Sequence, residues 1–261
     1  MLNYRDGLAS MPCYDTSEQD WHIKVNANES NIGLPPLVEE RVMTRLSRIA
    51  FARYPNEEYD LLCEQIGAAY GYRQENVIIG NGSSEIIEKV FYAFGGDDTH
   101  KIVYPMPSFS MYGIYAAAAN AAGVPVPLKD GYTLDADMFI QTVNQNSASL
   151  AVICNPNNPT GQLMTTAEIE YIAKEISCAF LIDEAYAEFS EHSVFQLLKK
   201  YPHMMIARTF SKAYALASCR VGYMFAHSAL INMIAKTYMP YHMNVPSLVT
   251  ADTVFQMRSE F

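Results

Sequence analysis

The sequence predicts an α/β fold in which helices cover both faces of a sheet. From about residue 76 onward, short apolar runs of strand length alternate with longer segments of helical periodicity. Because these runs are continuously apolar, they predict strands that are buried on both faces. The length of 261 residues, half of them hydrophobic, is enough for one large domain, with or without a small one.

Two helices are predicted ahead of this alternation. Residues 36–51 carry apolar side chains at helical spacing, and Pro55 interrupts the pattern. Residues 57–70 form a second periodic segment, which Gly71 ends. The first thirty or so residues contain many turn formers, and we expect them to be irregular.

Six strands and four further helices are predicted in the alternating part. The strands are predicted at 76–80, 101–105, 150–155, 179–184, 204–208 and 221–226. The helices are predicted at 83–94, 111–121, 166–176 and 193–201, and a last helical pattern, SLVTADTVFQM, follows near the end. In such sheets ligands bind beyond the carboxyl ends of the strands, so polar residues there are candidates for a site.

Charge and cysteine content argue against several classes of protein. A formal net charge of −10 disfavours nucleic-acid binding, although a local basic pocket can still hold a small anion. The cysteines are odd in number and far apart, without a CxxC pair, so we expect reduced thiols and neither a disulfide framework nor a metal site. They are Cys13, Cys63, Cys154, Cys178 and Cys219. With no signal-peptide pattern and no apolar run near ~20 residues, the sequence predicts a cytoplasmic protein.

Lys212 and Arg220 follow the strand predicted at 204–208. A buried lysine is costly unless it is paired or functional, and an amine beside Ser211 and Arg220 suits imine formation next to an anion. The Arg220 guanidinium could grip a phosphate at two points, and Thr209 and Ser211 could add hydroxyl donors. Taken alone, Lys212 is better explained as a surface lysine and Arg220 equally well as a strand-edge arginine. Only the combination indicates a site.

A second candidate anion site is the segment GNGSSE at residues 80–85, between a predicted strand and a predicted helix. Gly82 allows the backbone to approach a ligand closely. Ser83 and Ser84 place N–H groups and hydroxyls at the positive end of the helix. The simpler alternative is an ordinary helix cap, in which Ser or Asn is followed by Glu.

Asp183 closes the strand predicted at 179–184, where a carboxylate needs a partner. A protonated pyridine nitrogen is one such partner, because the pair lets the ring accept electrons. Tyr186 could donate to a phenolate oxygen of the same ring, as could Asn158 in the turn CNPNNPTG. The simpler alternatives are an Asp that caps a turn and an Asn that only shapes one.

Seven segments, taken together, resemble the class I and II aminotransferases of pyridoxal-phosphate (PLP) fold type I, and within them most closely the histidinol-phosphate aminotransferases. The segments are NANES (26–30), RYPN (53–56), GNGSSE (80–85), PSFSMY (107–112), CNPNNPTG (154–161), IDEAYAEF (182–189) and RTFSKAYALASCRVGY (208–223). They occur in the family's order and spacing, from about residue 24 to the end of the chain. One departure is Ala215, which stands where the family usually has Gly.

The resemblance implies a role for each chemistry-bearing residue. Lys212 would carry PLP as a Schiff base and then act as general acid and base. Asp183 would pair with the pyridine nitrogen, and Asn158 and Tyr186 would bind the ring oxygen. The phosphate would be surrounded by Ser83, Ser84, Thr209, Ser211 and Arg220.

The resemblance also implies roles at the edges of the site. Phe109 would stack on the cofactor ring, although core packing is the safer explanation for any single Phe. Tyr54 would reach the phosphate from the partner subunit of a homodimer. Asn28 and Glu29 would lie on the substrate side.

The domain organisation is likewise implied by the resemblance. Residues 31–248 would form the large PLP-binding domain, with a mostly parallel seven-stranded sheet, after an N-terminal segment at 1–30. Family members continue into a C-terminal small domain that binds the substrate carboxylate, and only its approach, at 249–261, is expected here. We therefore expect low transaminase activity from the 261-residue chain alone.

The implied reaction is transamination of histidinol phosphate with 2-oxoglutarate, a step of histidine biosynthesis. A threonine-phosphate decarboxylase or an aromatic aminotransferase of the same fold is the nearest alternative, and the combination of NANES, DEAY and TFSKAY favours the histidinol-phosphate branch. A non-catalytic PLP-binding module of a transcription regulator would carry a DNA-binding domain ahead of this region. If the domain bound no cofactor, all seven segments would have to match the family by chance or be remnants of a lost cofactor site. Neither nucleic acid nor a membrane is expected as a partner.

Overall fold

The computed structural model describes residues 22–190 and 192–261. Its helices and strands are α1 (Pro36–Leu46), α2 (Glu58–Ala69), β1 (Val77–Asn81), α3 (Gly82–Phe94), β2 (Lys101–Met106), α4 (Met111–Ala118), β3 (Ala122–Pro127), α5 (Ala136–Gln145), β4 (Leu150–Cys154), α6 (Thr166–Glu175), β5 (Ala179–Asp183), β6 (Met204–Thr209), β7 (Val221–Ala226), α7 (Ser228–Ile234) and α8 (Val245–Gln256). Short 3-10 turns connect several of them. The irregular start expected for the first thirty residues falls largely outside the described part.

The described strands form one seven-stranded sheet in the order β1-β7-β6-β5-β4-β2-β3. Strands β3, β2, β4, β5 and β6 run parallel, whereas β7 is antiparallel to both β6 and β1. The α/β class and the mostly parallel sheet are therefore confirmed. Because the carboxyl ends of β4, β5 and β6 meet at one edge, Cys154, Asp183 and Thr209 lie in the same region.

Apolar side chains pack in two layers, one on each face of the sheet. Along β4, Leu150 and Val152 belong to one layer, and Ala151 and Ile153 belong to the other. The first layer, here called the α4 layer, includes side chains of α3, α4 and α7. The second, called the α8 layer, includes side chains of α1, α2, α5, α6 and α8. This arrangement explains why the strands are continuously apolar in sequence.

Three elements, β3, α5 and the seven-residue helix α7, were not predicted. Strand β3, with the sequence AGVPVP, lies at the edge of the sheet, and Val126 is its one buried residue. Its prolines and glycine are typical of a loop, and prolines are tolerated only at such edges. Helix α5 has detectable signals, because Asp135 caps it by accepting from the Met138 N–H at 3.1 Å and because Phe139 and Val143 are buried at helical spacing.

Three predicted helices are shorter than expected. Helix α1 ends at Leu46 rather than at 51, and α4 ends at Ala118 rather than at 121. Just after α4, Asn120 adopts a left-handed φ of 55°, which is typical of a helix end. The helix predicted at 193–201 is a 3-10 turn, Phe195–Lys199.

Helix α8 has no solvent-facing side over most of its length, since every residue from 247 to 255 is buried. It packs against α1 and α2, and its buried Asp252 forms an ion pair with Arg45 of α1.

None of the helices in residues 22–190 and 192–261 is both long and apolar enough to cross a membrane.

Candidate active site

A cavity of about 240 Å³ lies at the carboxyl ends of the parallel strands, beside the amino end of α3. All the residues that the sequence predicts for the site line it, except Gly82, Glu29 and Tyr54. Its other lining residues are Asn26, Ala27, Cys154 and Ala185. Segments far apart in the sequence therefore meet in one place, as the sheet topology requires.

Lys212 lies in the loop between β6 and β7. Its Nζ donates a hydrogen bond to the Ala27 carbonyl oxygen at 2.6 Å and lies 5.8 Å from the centroid of the Tyr186 ring. Partial burial lowers the pKa of Lys212; the Glu29 carboxylate opposes this effect, and the Arg220 guanidinium reinforces it. A lowered pKa increases the fraction of neutral amine, which is the form that attacks a carbonyl carbon.

Asp183 is the last residue of β5, and only 3% of it is exposed. One carboxylate oxygen, Oδ2, accepts from the Tyr112 hydroxyl at 2.8 Å, and the other, Oδ1, accepts from the Ala185 N–H at 3.2 Å. Burial raises the pKa of Asp183 to about 6, although both donors oppose the rise. A cation placed in the cavity beside this carboxylate would stabilise its charged form.

Tyr186 and Asn158 approach the cavity from two neighbouring turns. The Asn28 side chain donates to the Tyr186 hydroxyl at 3.0 Å, and burial raises the pKa of that hydroxyl, so it remains a neutral donor. Asn158 lies in the turn after β4. Asn155 braces this turn, since its side chain accepts from the Met164 N–H at 2.8 Å and donates to the Met164 carbonyl at 3.2 Å.

One end of the cavity concentrates groups that bind anions. Arg220 donates to the Ser211 hydroxyl at 3.3 Å and to the Asn81 carbonyl at 3.4 Å. The Thr209 hydroxyl accepts from the Ser211 N–H at 3.0 Å. Ser83 and Ser84 add hydroxyls and N–H groups at the start of α3. An arginine fork, hydroxyls and a helix N-terminus together suit a phosphate.

Two glycines make this anion-binding end possible. Gly82 has a φ of 77°, and a side chain there would collide with the Arg220 guanidinium. A side chain at Gly222 would collide with the backbone nitrogen of Ser83. Glycine is therefore required at both positions for Arg220 and the start of α3 to approach each other.

Phe109 lies just before α4 and forms part of the cavity wall. Its ring meets the Tyr112 ring edge to face, with the centroids 5.5 Å apart and an interplanar angle of 87°. The packing fixes the orientation of Phe109, and its position in the wall allows it to contact a planar ligand.

Tyr54 and Glu29 lie outside the cavity. Tyr54 is 74% exposed and stacks on Tyr241, with the ring centroids 4.6 Å apart. Its predicted contact with the site of a partner subunit stays a prediction. Glu29 is exposed and forms an ion pair with Lys24 at 3.2 Å, although its charge still acts on Lys212.

The family model described as "Aminotransferase class I and II" matches residues 11–260 of the chain. The chain belongs to this family. It is 32% identical to the histidinol-phosphate aminotransferase of Clostridium kluyveri, over 95% of the chain and 70% of that protein. It is 34% identical to the Pyrococcus furiosus protein of the same name, over 91% of the chain and 69% of that protein.

A solved structure of the same fold is the histidinol-phosphate aminotransferase of Sinorhizobium meliloti in complex with pyridoxal-5'-phosphate. The TM-score is 0.83 at 23% identity, over 89% of this chain and 64% of that one. The fold predicted from the seven segments, fold type I, is thereby confirmed. The chain thus spans about two thirds of the length of the class I and II aminotransferases that it matches.

Tyr112 is a residue of this aminotransferase-family site that the sequence does not predict, and its hydroxyl makes the shorter of the two hydrogen bonds described for the Asp183 carboxylate. The available signal was its place in the segment PSFSMY, three residues after Phe109, which puts both near the same side of α4. Cys154 also lines the cavity without having been predicted for the site, and burial raises the pKa of its thiol. Among the described residues, no cluster of three or more His, Cys, Asp or Glu side chains could hold a metal ion.

Proposed function

We propose that the chain carries the cofactor-binding part of a PLP-dependent histidinol-phosphate aminotransferase. The Lys212 amine and the Asp183 carboxylate line one cavity, and this observation carries the proposal. The cavity also has an anion-binding end around Arg220, so an amine, a carboxylate and a phosphate-binding corner surround one ligand-sized space. The curated relatives from Clostridium kluyveri and Pyrococcus furiosus support the choice of branch.

The residues present fit PLP. Within the described part of the chain, the buried Asp183 carboxylate receives hydrogen bonds from Tyr112 and Ala185 but has no ion pair. A protonated pyridine nitrogen would supply the missing positive charge. At the other end, Gly82 leaves room where a side chain would displace Arg220 from the corner suited to the phosphate.

When bound, PLP would supply an electron sink that stabilises negative charge on the substrate carbon. Lys212 would hold the cofactor through its amine and, once released by the incoming amine, would move the proton at the substrate carbon. Asp183 would keep the pyridine nitrogen protonated. Asn158 and Tyr186 would donate to the ring oxygen, and Phe109 would lie against the ring.

The phosphate would lie at the anion-binding end, surrounded by Ser83, Ser84, Thr209, Ser211 and Arg220. This end would orient the cofactor without taking part in proton transfer. Asn28 and Glu29 would face the substrate, since both lie in the segment that covers the amine of Lys212. We assign residues 31–248 to the cofactor-binding domain.

The proposed donor is histidinol phosphate, with 2-oxoglutarate as the acceptor; the products are imidazole-acetol phosphate and glutamate. We further propose a homodimer in which Tyr54 of one subunit reaches the phosphate of the other. The exposure of Tyr54 supports this assignment. The free thiols of the four described cysteines support a reducing compartment, the cytoplasm.

The test is borohydride reduction of the chain with PLP, followed by peptide mass spectrometry. We expect a pyridoxyl group on Lys212 in the unchanged chain and none at this position in Lys212→Ala. Lys236→Ala is the matched control, because Lys236 is an exposed lysine outside the cavity. A label on another lysine, or no label at all, would contradict the proposal.

The branch is tested by adding histidinol phosphate, threonine phosphate and phenylalanine in parallel to the PLP-loaded chain. We expect histidinol phosphate to give the largest change in the cofactor absorption spectrum in a single turnover. Release of carbon dioxide from threonine phosphate would instead identify a decarboxylase. A preference for phenylalanine would identify an aromatic aminotransferase.

A further inference from the structure

Tyr112 lies behind the candidate site rather than in its wall. Its side chain is fully buried on α4, and its hydroxyl donates to Asp183 Oδ2 at 2.8 Å. Asp183 lies 71 residues further along the chain, on β5, so the contact joins a helix of the α4 layer to the end of a central strand. The shorter of the two hydrogen bonds described for the Asp183 carboxylate comes from Tyr112; the other comes from Ala185 at 3.2 Å.

Aromatic packing fixes the position of the Tyr112 hydroxyl. The Tyr112 ring stacks on Phe91 at 6.3 Å between centroids, contacts Tyr104 at 6.1 Å and meets Phe109 edge to face at 5.5 Å. A ring enclosed in this way cannot swing its hydroxyl away from Asp183 without disrupting the layer. Tyr112 therefore touches both the carboxylate proposed to face the cofactor nitrogen and the aromatic ring proposed to lie against the cofactor.

The surroundings make this hydrogen bond important for the charge of Asp183. The titratable groups whose charge or hydrogen bonding acts together with the Asp183 carboxylate are Tyr112 and Tyr115 on α4, Cys154 on β4, and Glu184 and Tyr186 nearby in the chain; of these, Glu184 acts from the opposite face of the sheet. None of these groups is a cation. Lys212 and Arg220 line the same cavity but form no ion pair with Asp183 in the described part of the chain. Hydrogen bonds must therefore do most of the stabilisation of a charged Asp183 before a ligand binds.

We propose that Tyr112 is a positioning residue, which holds Asp183 charged and in one orientation and fixes the ring of Phe109 beside it. This role rests on the proposed function, because Asp183 and Phe109 are the residues proposed to contact the cofactor ring. Tyr112 can only donate to the carboxylate, because burial keeps its own hydroxyl protonated: the pKa of Tyr112 lies well above its ordinary value.

The first test needs no cofactor and so does not depend on the proposed function. The full chain, labelled with ¹³C at its aspartate carboxyl carbons, is titrated by NMR, and the resonance missing from Asp183→Asn identifies Asp183. Tyr112→Phe removes only the hydroxyl and keeps the ring packing. We expect the pKa of Asp183 to rise by about one to two pH units in this variant, because a hydrogen bond to a charged group is lost.

Tyr104→Phe is the matched control. Its ring also contacts the Tyr112 ring, but its hydroxyl lies beside Gly113 and Gly123 rather than beside Asp183. We expect the pKa of Asp183 to be unchanged in this control. An unchanged pKa in Tyr112→Phe, or an equal shift in both variants, would overturn the proposal.

The second test uses the PLP-loaded chain and reads a spectroscopic signature. The pH midpoint of the cofactor's visible absorption band should move in Tyr112→Phe and stay in place in Tyr104→Phe. A shift in the carboxyl pKa without a shift in this band would overturn the positioning role. If the unchanged chain fails to bind PLP, the proposed function is wrong. The first experiment still decides whether the Tyr112 hydrogen bond controls the pKa of Asp183, because it uses no cofactor.

Discussion

Asp183 and Lys212 carry opposite charges when exposed to water, and burial disfavours the charged form of each. The pKa of Asp183 is raised and that of Lys212 is lowered, and the largest cause in both cases is loss of water around the group. A ligand that pairs with Asp183 and consumes the neutral amine of Lys212 would relieve both costs. In the cofactor-free protein, both burial costs lower the stability of the fold.

The raised pKa of Asp183 predicts a pH-dependent loss of stability. The folded chain, with a pKa of about 6, holds this proton more tightly than the unfolded chain, whose ordinary value is 3.8. The protonated Asp183 carboxyl therefore contributes on the order of 3 kcal/mol to the free energy of unfolding below about pH 4. This contribution is lost as the pH rises through about 6. Urea unfolding between pH 4 and 7 should show this loss in the cofactor-free chain and not in Asp183→Asn.

Asp98→Asn serves as the comparison for this experiment, because Asp98 is exposed. Its unfolding free energy should follow that of the unchanged chain across the whole pH range. If Asp183→Asn and the unchanged chain differ by a constant amount between pH 4 and 7, the raised pKa is wrong.

Gly82→Ala should weaken cofactor binding. The new methyl group would collide with the Arg220 guanidinium and move it away from the anion-binding end. We expect at least a tenfold rise in the Kd for PLP, measured by fluorescence titration, because loss of a charge-assisted contact contributes about 1.5–3 kcal/mol.

Gly131→Ala separates this collision from backbone strain. Gly131 has a φ of 74°, close to the 77° of Gly82, but no atom lies within 4 Å of where its side chain would be. Both variants should lose about 1 kcal/mol of stability from the left-handed backbone. Only Gly82→Ala should lose PLP affinity, and an equal loss in both would show that the collision is unimportant.

The identity of most candidate site residues could be predicted from the sequence, but the contact between Tyr112 and Asp183 could not. Asp183 ends a strand, Asn158 and Lys212 lie in segments that follow strands, and the edge at which parallel strands end is set by topology. Tyr112, in contrast, is an aromatic residue on an apolar helix, where core packing is the ordinary explanation. Its role depends on a hydroxyl direction, which residue type and spacing do not specify.

At the scale of elements, the strands buried on both faces were easier to predict than the elements at the edge. Strand β5 reads AFLID, and each of its residues is buried. Strand β3 reads AGVPVP and pairs only with β2, so it needs neither a continuous apolar run nor a full set of N–H donors. The ends of α1 and α4 were also misplaced, since they depend on local turn geometry.

The loop between β6 and β7 contains a strained residue that can be replaced. Ala215 has a φ of 53°, a conformation that costs an L-residue about 1–2 kcal/mol relative to glycine. Ala215→Gly should raise the free energy of unfolding by about 0.5–1 kcal/mol, because the gain exceeds the added entropy of the unfolded chain. Chemical denaturation is the measurement.

Ala217→Gly is the control in the same loop. Ala217 begins the 3-10 turn Ala217–Cys219 and is not among the residues with positive φ. The substitution should lower stability, since it only adds flexibility to the unfolded state. Stabilisation by both changes would mean that the φ of Ala215 is not the cause.

At the scale of the whole molecule, a buried ion pair on the α8 layer connects Glu184, which directly follows β5, to Arg208 of β6. Arg208 donates to Glu184 Oε2 through both Nε, at 2.9 Å, and Nη2, at 2.7 Å. It also donates to Glu188 at 3.2 Å and lies over the Phe195 ring at 4.7 Å. The side chains of Arg208 and Glu184 are 7% and 1% exposed, so water cannot replace a lost partner.

Arg208→Met should therefore lower the free energy of unfolding by about 3–5 kcal/mol, because it leaves Glu184 charged and buried without its partner. The exposed pair of Arg73 and Glu75, with side chains 80% and 50% exposed, provides the contrast. Arg73→Met should change stability by less than about 1 kcal/mol. If Arg208→Met and Arg73→Met lower the free energy of unfolding in urea equally, the buried pair is no more important for stability than the exposed one.

The proposed homodimer gives a further prediction for the whole molecule. Phe51, Tyr54 and Tyr241 are exposed and line one surface pocket, so a charge placed there should oppose association. We expect Tyr241→Asp to shift the sedimentation velocity profile from dimer toward monomer. Tyr132→Asp, at another exposed aromatic residue, should leave the profile unchanged. A monomeric unchanged chain would contradict the proposal.

The two-residue repeat of a strand has a particular consequence at the end of β5. Asp183 and Glu184 are neighbours in the sequence, yet one faces the cavity and Tyr112 while the other faces Arg208 on the opposite side of the sheet. The two acids have almost the same chemistry, so only odd or even position decides which of them lines the cavity and which forms the buried ion pair. Deletion of a single residue within β5 would shift the positions that follow it by one and so exchange the faces to which the two acids point.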